Sequence, residues 1–314
     1  MPGSRRAREL IEGVVARDLL SVSRALSLVT DEGEGHEALV AGLFRRQGRA
    51  HKIGLCGPPG SGKSSLVNRL ISGLRKTGER VGVLAVDPSS PYSGGAFLGD
   101  RLRFQEHATD EGVFIRSLAS RGMMGGLNAT IYGAVHVLEA TGADRILIET
   151  VGTGQDEVDI ADVADTVVYV TAPYGGDEFQ AMKAGVMEVA DLFGVNKADL
   201  PDAGKAVAAL REALSLGPQE RRGWIPKVLG VSALKGQGME EFLLALDEHR
   251  AHLRGGPEGR ARSARQVRRE LSLLISRRVY RDAVGRIEGR HIEMLLDRET
   301  DPVTLGKKLI RGRP

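Results

Sequence analysis

The segment GPPGSGKS, Gly57 to Ser64, follows the apolar run IGLCG (53–57) and precedes a helix-length stretch, Ser65 to Arg75. Strand, glycine-rich turn, helix is the setting in which G-x-x-x-x-G-K-[ST] cradles phosphate. Gly57, Gly60 and Gly62, with Pro58, Pro59 and Ser61 between them, omit the Cβ atoms that would keep a phosphate away. The loop N–H groups and the helix start supply positive potential. Lys63 is expected to reach the β- and γ-phosphates and Ser64 to coordinate Mg²⁺, with Ser65 completing the loop.

Outward from this loop, apolar runs recur at VGVLAV (81–86), VFI (113–115), RILIE (145–149), TVVYVT (166–171), LFGVN (192–196) and KVLGVS (227–232). Most are continuous rather than alternating, as in strands covered on both faces, and helix-length segments separate several of them. A βαβ series of this kind predicts an α/β fold, a mostly parallel twisted sheet flanked by helices, over residues 51–252. Residues 1–50 read as a helical extension with a polar break at Thr30–Gly35. After His249, HLRGGPEGRARSA reads as a linker, and 253–314 as that linker plus a C-terminal helical arm. In the arm Leu271, Leu274, Ile275, Val279 and Ala283 recur at helical spacing, an apolar stripe expected to pair two copies of the chain.

The base is chosen by NKAD, Asn196 to Asp199, at a strand end. A carboxylate only accepts hydrogen bonds, and guanine presents two donors on one edge, N1–H and the N2 amine. Asp199 is therefore expected to take both, while adenine would leave it unpaired. Lys197 is placed to lie across the base, Asn196 to tie the loop, and the backbone of Ser232, Ala233 and Leu234 to meet guanine O6. On the metal side Glu149 and Asp87 end two strands, Gly152 follows Glu149 at ExxG spacing, and Asp100 lies in the loop SGGAFLGDR. Lys63, Glu149 and Asp87 form the expected catalytic set, and Ser64, Asp87, Asp100 and Glu149 the Mg²⁺ set. Thr153 stands directly after Gly152 where a water-positioning glutamine would be expected, and Gln155 is out of register. Arg101, Arg103, Arg116 and Arg121 are the candidate arginine fingers, and slow intrinsic GTP turnover follows.

The chain has 314 residues and a net charge of +3, which conceals an asymmetry: Ala251 to Pro314 holds 16 basic and 8 acidic residues. That tail carries one aromatic, Tyr280, so base stacking on nucleic acid is poorly supported. No apolar run approaches the ~20 residues of a membrane span. A single cysteine, Cys56, allows no internal disulfide and suits a reducing cytoplasm.

Four further segments, VDPSSPYSGGAFLGDR (86–101), RSLASRGMMGGL (116–127), ETVGTGQDE (149–157) and GGDEFQAMKAG (175–185), resemble the motifs of the MeaB/ArgK-type GTPases. The resemblance runs from about Ala25 to a closing DPVTLGKKLI, although GPPGSGKSS and the residue after that last proline depart from the family's usual pattern. It implies a SIMIBI-class P-loop G domain with a C-terminal dimerisation arm. It implies a slow GTPase that serves a B12-dependent acyl-CoA mutase, of methylmalonyl-CoA or isobutyryl-CoA type, in cofactor loading and protection. It also implies Mg²⁺ carboxylates at Asp87, Asp100 and Glu149, and a relay to the mutase in Tyr174 to Lys183. The rival readings are a GTPase or kinase linked to basic amino-acid transport, and a metal-insertion GTPase. The seven scattered histidines argue against the second.

Overall fold

The computed structural model describes residues 2–46, 48–88, 104–120, 129–150, 159–173, 184–215 and 223–312. Each apolar run becomes a strand: β1 (His51–Cys56), β2 (Val81–Pro88), β3 (Val113–Ser120), β4 (Arg145–Thr150), β5 (Thr166–Thr171), β6 (Leu192–Val195) and β7 (Lys227–Gly230). They form one sheet in the order β3-β2-β4-β1-β5-β6-β7, and every pairing is parallel. β1 lies between β4 and β5, so the loop leaving its carboxyl end opens where the strand order reverses, the usual ligand crevice of such sheets. β3 runs well past the three residues its apolar run suggests. Among the described residues it is an edge strand that pairs with β2 alone, so its polar half, RSLAS, is tolerated beyond VFI.

Eleven helices are seen among the described residues: α1 (Pro2–Val15), α2 (Leu19–Thr30), α3 (His36–Phe44), α4 (Lys63–Lys76), α5 (Ala129–Ala140), α6 (Ala184–Val189), α7 (Ala203–Ser215), α8 (Met239–Leu253), α9 (Pro257–Val284), α10 (Gly289–Leu296) and α11 (Pro302–Arg311). α4 lays Leu66, Val67, Leu70 and Ile71 on Ile53 and Leu55 of β1, with Phe242 and Leu246 of α8 closing the same core. The expected N-terminal break at Thr30–Gly35 separates α2 from α3, but a second break precedes it. Arg17 adopts φ 64°. Asp18 then caps α2 by accepting the Ser21 N–H at 2.8 Å, which ends α1 before Leu19.

The stretch expected as a linker is mostly helix. Only Arg254–Gly256 separate α8 from α9, and Pro257, whose ring suits a first helical turn, starts the next helix. The chain divides into two compact units, Met1–Ala264 and Arg265–Pro314. The first therefore includes the opening turns of α9, where Arg262 is buried in a bidentate pair with Asp191 at 2.7 and 2.9 Å. In the second, Asp301 caps α11 through the Val303 and Thr304 N–H groups. Among the described residues no helix is long and apolar enough to cross a membrane.

The amino end of the sheet, away from the P-loop, holds a buried polar chain whose protonation is set by elimination. Arg145 can only donate, and its Nη1 lies 2.8 Å from His51 Nδ1, so that nitrogen carries no proton. His51 Nε2–H then donates to Thr166 Oγ1 at 2.7 Å, and the Thr166 hydroxyl donates to His249 Nδ1 at 2.7 Å. His249 is left with its proton on Nε2, 3.4 Å from Asp191 Oδ1. Both imidazoles are neutral. Burial pushes His249 down to about 4, against the opposing pull of Asp191, and burial holds His51 well below its ordinary value. Between about 6.5, the unfolded value, and about 4 the unfolded chain binds a proton at His249 that the folded chain does not. Stability is therefore expected to fall as pH drops through that window, by up to ~3 kcal/mol for this group. Urea unfolding at a series of pH values should show the decline, and His249→Gln should flatten it. An identical slope in the variant would refute the assignment.

Candidate functional site

At the end of β1 the chain turns at Gly57, with φ 135°; a Cβ there would stand 2.0 Å from the Val170 carbonyl oxygen of β5. Only glycine lets the loop leave the sheet at this point. Gly62, with φ 86°, precedes α4, and a Cβ there would meet Asn196 Nδ2 at 2.3 Å. Lys63 begins α4 almost buried, its ammonium folded back on the loop's own carbonyls, Gly57 O at 2.7 Å and Pro58 O at 3.0 Å. The loop thus holds a cation at its centre, with the N-terminus of a 14-residue helix behind it.

One carboxamide joins this loop to the segments Asn196–Asp199 and Ser232–Leu234, expected from the sequence to meet the base. Asn196 Nδ2 donates to Ser61 O (2.8 Å) and Gly62 O (3.2 Å), and Asn196 Oδ1 accepts the Ala233 N–H at 3.0 Å. Lys197 stands at φ 60°, a left-handed backbone that costs a non-glycine residue about 1 kcal/mol. Its ammonium donates to Gly60 O at 2.9 Å, so the stem reaches back over the phosphate loop. Asp199 Oδ1 accepts the Ser232 hydroxyl at 2.6 Å, and Lys235 lies 3.7 Å from Oδ2. The Ser232 hydrogen bond above all holds the Asp199 carboxyl below its ordinary range, so it is an anion and an acceptor.

A cavity of ≈ 480 Å³ opens between α4 and these two loops, lined among others by Ser65, Lys197, Asp199, Ala233 and Leu234. That is within the usual range of small-molecule sites, about 300–1,000 Å³. A purine entering it would meet the carboxylate of Asp199 and the backbone of Ala233–Leu234. Arg69 and Lys235 also belong here and carry no sequence signal. Arg69 hydrogen-bonds Ala233 O and Leu234 O from 164 and 165 residues away, and only the packing of α4 brings it there.

On the metal side, the register sets Glu149 of β4 opposite Leu55, close to where β1 runs into the loop. Ser64 Oγ donates to Glu149 Oε1 at 2.6 Å, and Glu149 is buried. A hydroxyl and a carboxylate already in contact beside the phosphate loop are hard oxygen donors of the kind Mg²⁺ takes, so the residues present fit the ion. Asp87 lies near the end of β2, aligned with Ala119. Its side chain lies outside the described residues, as do Asp100, Gly152 and Gln155 and the stretch Tyr174 to Lys183. Of the candidate arginine fingers, Arg116 hydrogen-bonds Ser27 of α2 at 3.0 Å, and Arg101, Arg103 and Arg121 lie outside the described residues.

The phosphate loop, the Asp199 carboxylate and the Ser64–Glu149 hydroxyl–carboxylate pair converge at one end of the sheet. Residues 22–287 match the family model described as methylmalonyl-CoA mutase-associated GTPase MeaB. The chain belongs to the MeaB family. A Pyrococcus horikoshii protein assigned as a GTPase is 40% identical over 298 residues, covering 94% of both chains. The GTPase ArgK of Escherichia coli is 35% identical over 254 residues, 78% of this chain and 76% of ArgK. A crystal structure of an LAO/AO transport system kinase shares the fold with TM-score 0.71, at 24% identity over 96% of each chain. As a MeaB-family protein the chain is a P-loop GTPase that binds guanine nucleotide and hydrolyses GTP to GDP and phosphate.

Proposed function

We propose that this GTPase is a Mg²⁺-dependent switch that serves a B12-dependent acyl-CoA mutase, gating cofactor loading and protecting the mutase from inactivation. The observation that carries it is Asn196, which hydrogen-bonds the phosphate loop and the Ala233 amide at once, in a chain whose family is described by its association with methylmalonyl-CoA mutase. Base contact and phosphate contact are thereby coupled through one side chain, as a nucleotide-state switch needs.

In this reading Lys63 exchanges the Gly57 and Pro58 carbonyls for phosphate oxygens when nucleotide enters. Ser64, Asp87, Asp100 and Glu149 would hold Mg²⁺, which would supply charge neutralisation for the β- and γ-phosphates. Asp199 takes the guanine N1–H and N2 amine. Arg116, among the candidate fingers, is held by Ser27 of α2, which supports an arrangement completed by a partner. The exposed side chains of Leu271, Leu274, Ile275 and Val279 on α9 supply the face for a second copy of the chain. Light scattering should give twice the mass of the chain, and Ile275→Glu should halve it.

The deciding experiment measures GTP turnover with and without purified methylmalonyl-CoA or isobutyryl-CoA mutase from the source organism. The expected result is a rise of about tenfold or more, in the direction of the ~10³–10⁵ that activating partners give other GTPases. If neither mutase changes turnover or binds in a nucleotide-dependent way, the mutase role fails and the GTPase remains.

A further inference from the structure

We propose that Arg69 is a positioning residue for base recognition, fixing the Ala233–Leu234 peptide so that the Leu234 N–H is the donor presented to the 6-oxo group of guanine. The inference rests on the guanine reading of the pocket and deepens it.

The segment Ser232–Gly236 is closed by its own hydrogen bonds. Ser232 N–H donates to Gln237 O at 2.9 Å and Gly236 N–H to Ser232 O at 2.7 Å. Ala233 N–H is taken by Asn196 Oδ1 at 3.0 Å, and Lys235 N–H by Ser232 Oγ at 3.1 Å. Of the five amides in this turn, the Leu234 N–H alone has no acceptor among the described residues. Leu234 lines the cavity that Asp199 also lines. A base carbonyl in that cavity is the acceptor the amide lacks, and an exocyclic amine at the same position would bring donor against donor.

The direction of that amide is set by the other end of its own peptide. C=O of Ala233 and N–H of Leu234 belong to one planar trans unit and point oppositely. Arg69, six residues after Lys63 on α4, donates from Nε to Ala233 O at 2.6 Å and from Nη2 to Leu234 O at 2.7 Å. A rigid guanidinium fork gripping two successive carbonyls fixes both peptide planes, which a lysine, with a single rotatable head, does less well. α4 also carries Lys63 and Ser64, so the helix that starts at the phosphates also orients the base donor.

The test compares GDP with 6-thio-GDP, by calorimetry on the full-length protein. The sulfur analogue keeps N1–H and the N2 amine for Asp199 and replaces only the 6-oxo acceptor with a poor one. Wild type should bind GDP about tenfold more tightly than 6-thio-GDP, the worth of one good hydrogen bond. In Arg69→Met, GDP affinity should drop toward that of 6-thio-GDP while 6-thio-GDP binding barely changes, with an unaltered thermal unfolding midpoint. Arg69→Lys should keep part of the preference. If GDP and 6-thio-GDP weaken together in Arg69→Met, the arginine only supports the loop, and if neither changes it does nothing for the base; either result overturns the proposal. Failure of the guanine reading itself would show separately, as wild type that does not prefer GDP to ADP.

Discussion

Asp199→Asn is expected to weaken GTP binding about 100- to 1,000-fold and to give the protein a preference for xanthine nucleotide. The carboxylate stands at the cavity with one oxygen on the Ser232 hydroxyl and the other 3.7 Å from Lys235. The Ser232 hydrogen bond chiefly holds this carboxyl below its ordinary range, so it stays ionised and can only accept hydrogen bonds from a base. Guanine offers two donors to it, and hydrogen bonds to a charged group are worth ~1.5–3 kcal/mol each, so losing their charge and turning one into a donor–donor clash costs about 3–4 kcal/mol. Xanthine carries a carbonyl at C2 in place of the amine. The asparagine amide donates to that carbonyl while its oxygen still accepts N1–H, which restores both contacts. Ser232 remains able to hold the new side chain, so the pocket survives the change. Calorimetry with GDP and xanthosine diphosphate reads the switch directly, and unchanged GDP affinity would exclude Asp199 from the base site.

What the sequence makes legible follows from how locally each feature is determined. The P-loop is read from eight consecutive residues because the backbone that cradles a phosphate is itself local, and Gly57 and Gly62 are required by contacts to Val170 and Asn196 at loop exits. Strands β1, β4 and β5, covered on both faces, stand out as unbroken apolar runs, with every residue of β4 and β5 buried. The edge strand β3 is half hidden, since RSLAS need not be apolar. Gly, Pro and Arg in 252–264 signal a linker by composition, yet Pro257 fits a first helical turn and Arg262 finds Asp191 only after folding. Arg69 is illegible for the same reason. Its two carbonyl partners are more than 160 residues away, and nothing in LVNRLIS distinguishes it from any solvated helical arginine. The join between Asn196 and the P-loop was within reach of the motif, because an asparagine at a strand end beside a glycine-rich loop has unpaired backbone carbonyls to serve.

Lys63→Ala is expected to abolish measurable hydrolysis, a loss of at least ~10³-fold in turnover, since in phosphoryl transfer the protein's work is positioning and charge stabilisation. The ammonium is almost buried and held by two loop carbonyls, at 2.7 and 3.0 Å, in a position to face the phosphates. Removing it therefore takes away both the charge that stabilises the transferring group and the hydrogen bonds that tie the Gly57 and Pro58 carbonyls to the helix start. Lys63→Arg should not rescue, because a bulkier planar fork cannot take the buried place of a compact ammonium that turns from the loop carbonyls to phosphate. Glu149→Gln separates the two halves of the site. It keeps an oxygen near Ser64 but loses the negative charge, so the Mg²⁺ concentration for half-maximal turnover should rise about 10- to 100-fold, while nucleotide binding without metal changes little. Steady-state turnover against Mg²⁺ concentration, with GDP affinity in chelator alongside, distinguishes the two variants. A Glu149→Gln enzyme with unaltered Mg²⁺ dependence would remove Glu149 from the metal set, and the 2.6 Å contact with Ser64 would then be only a structural clamp on the first turn of α4.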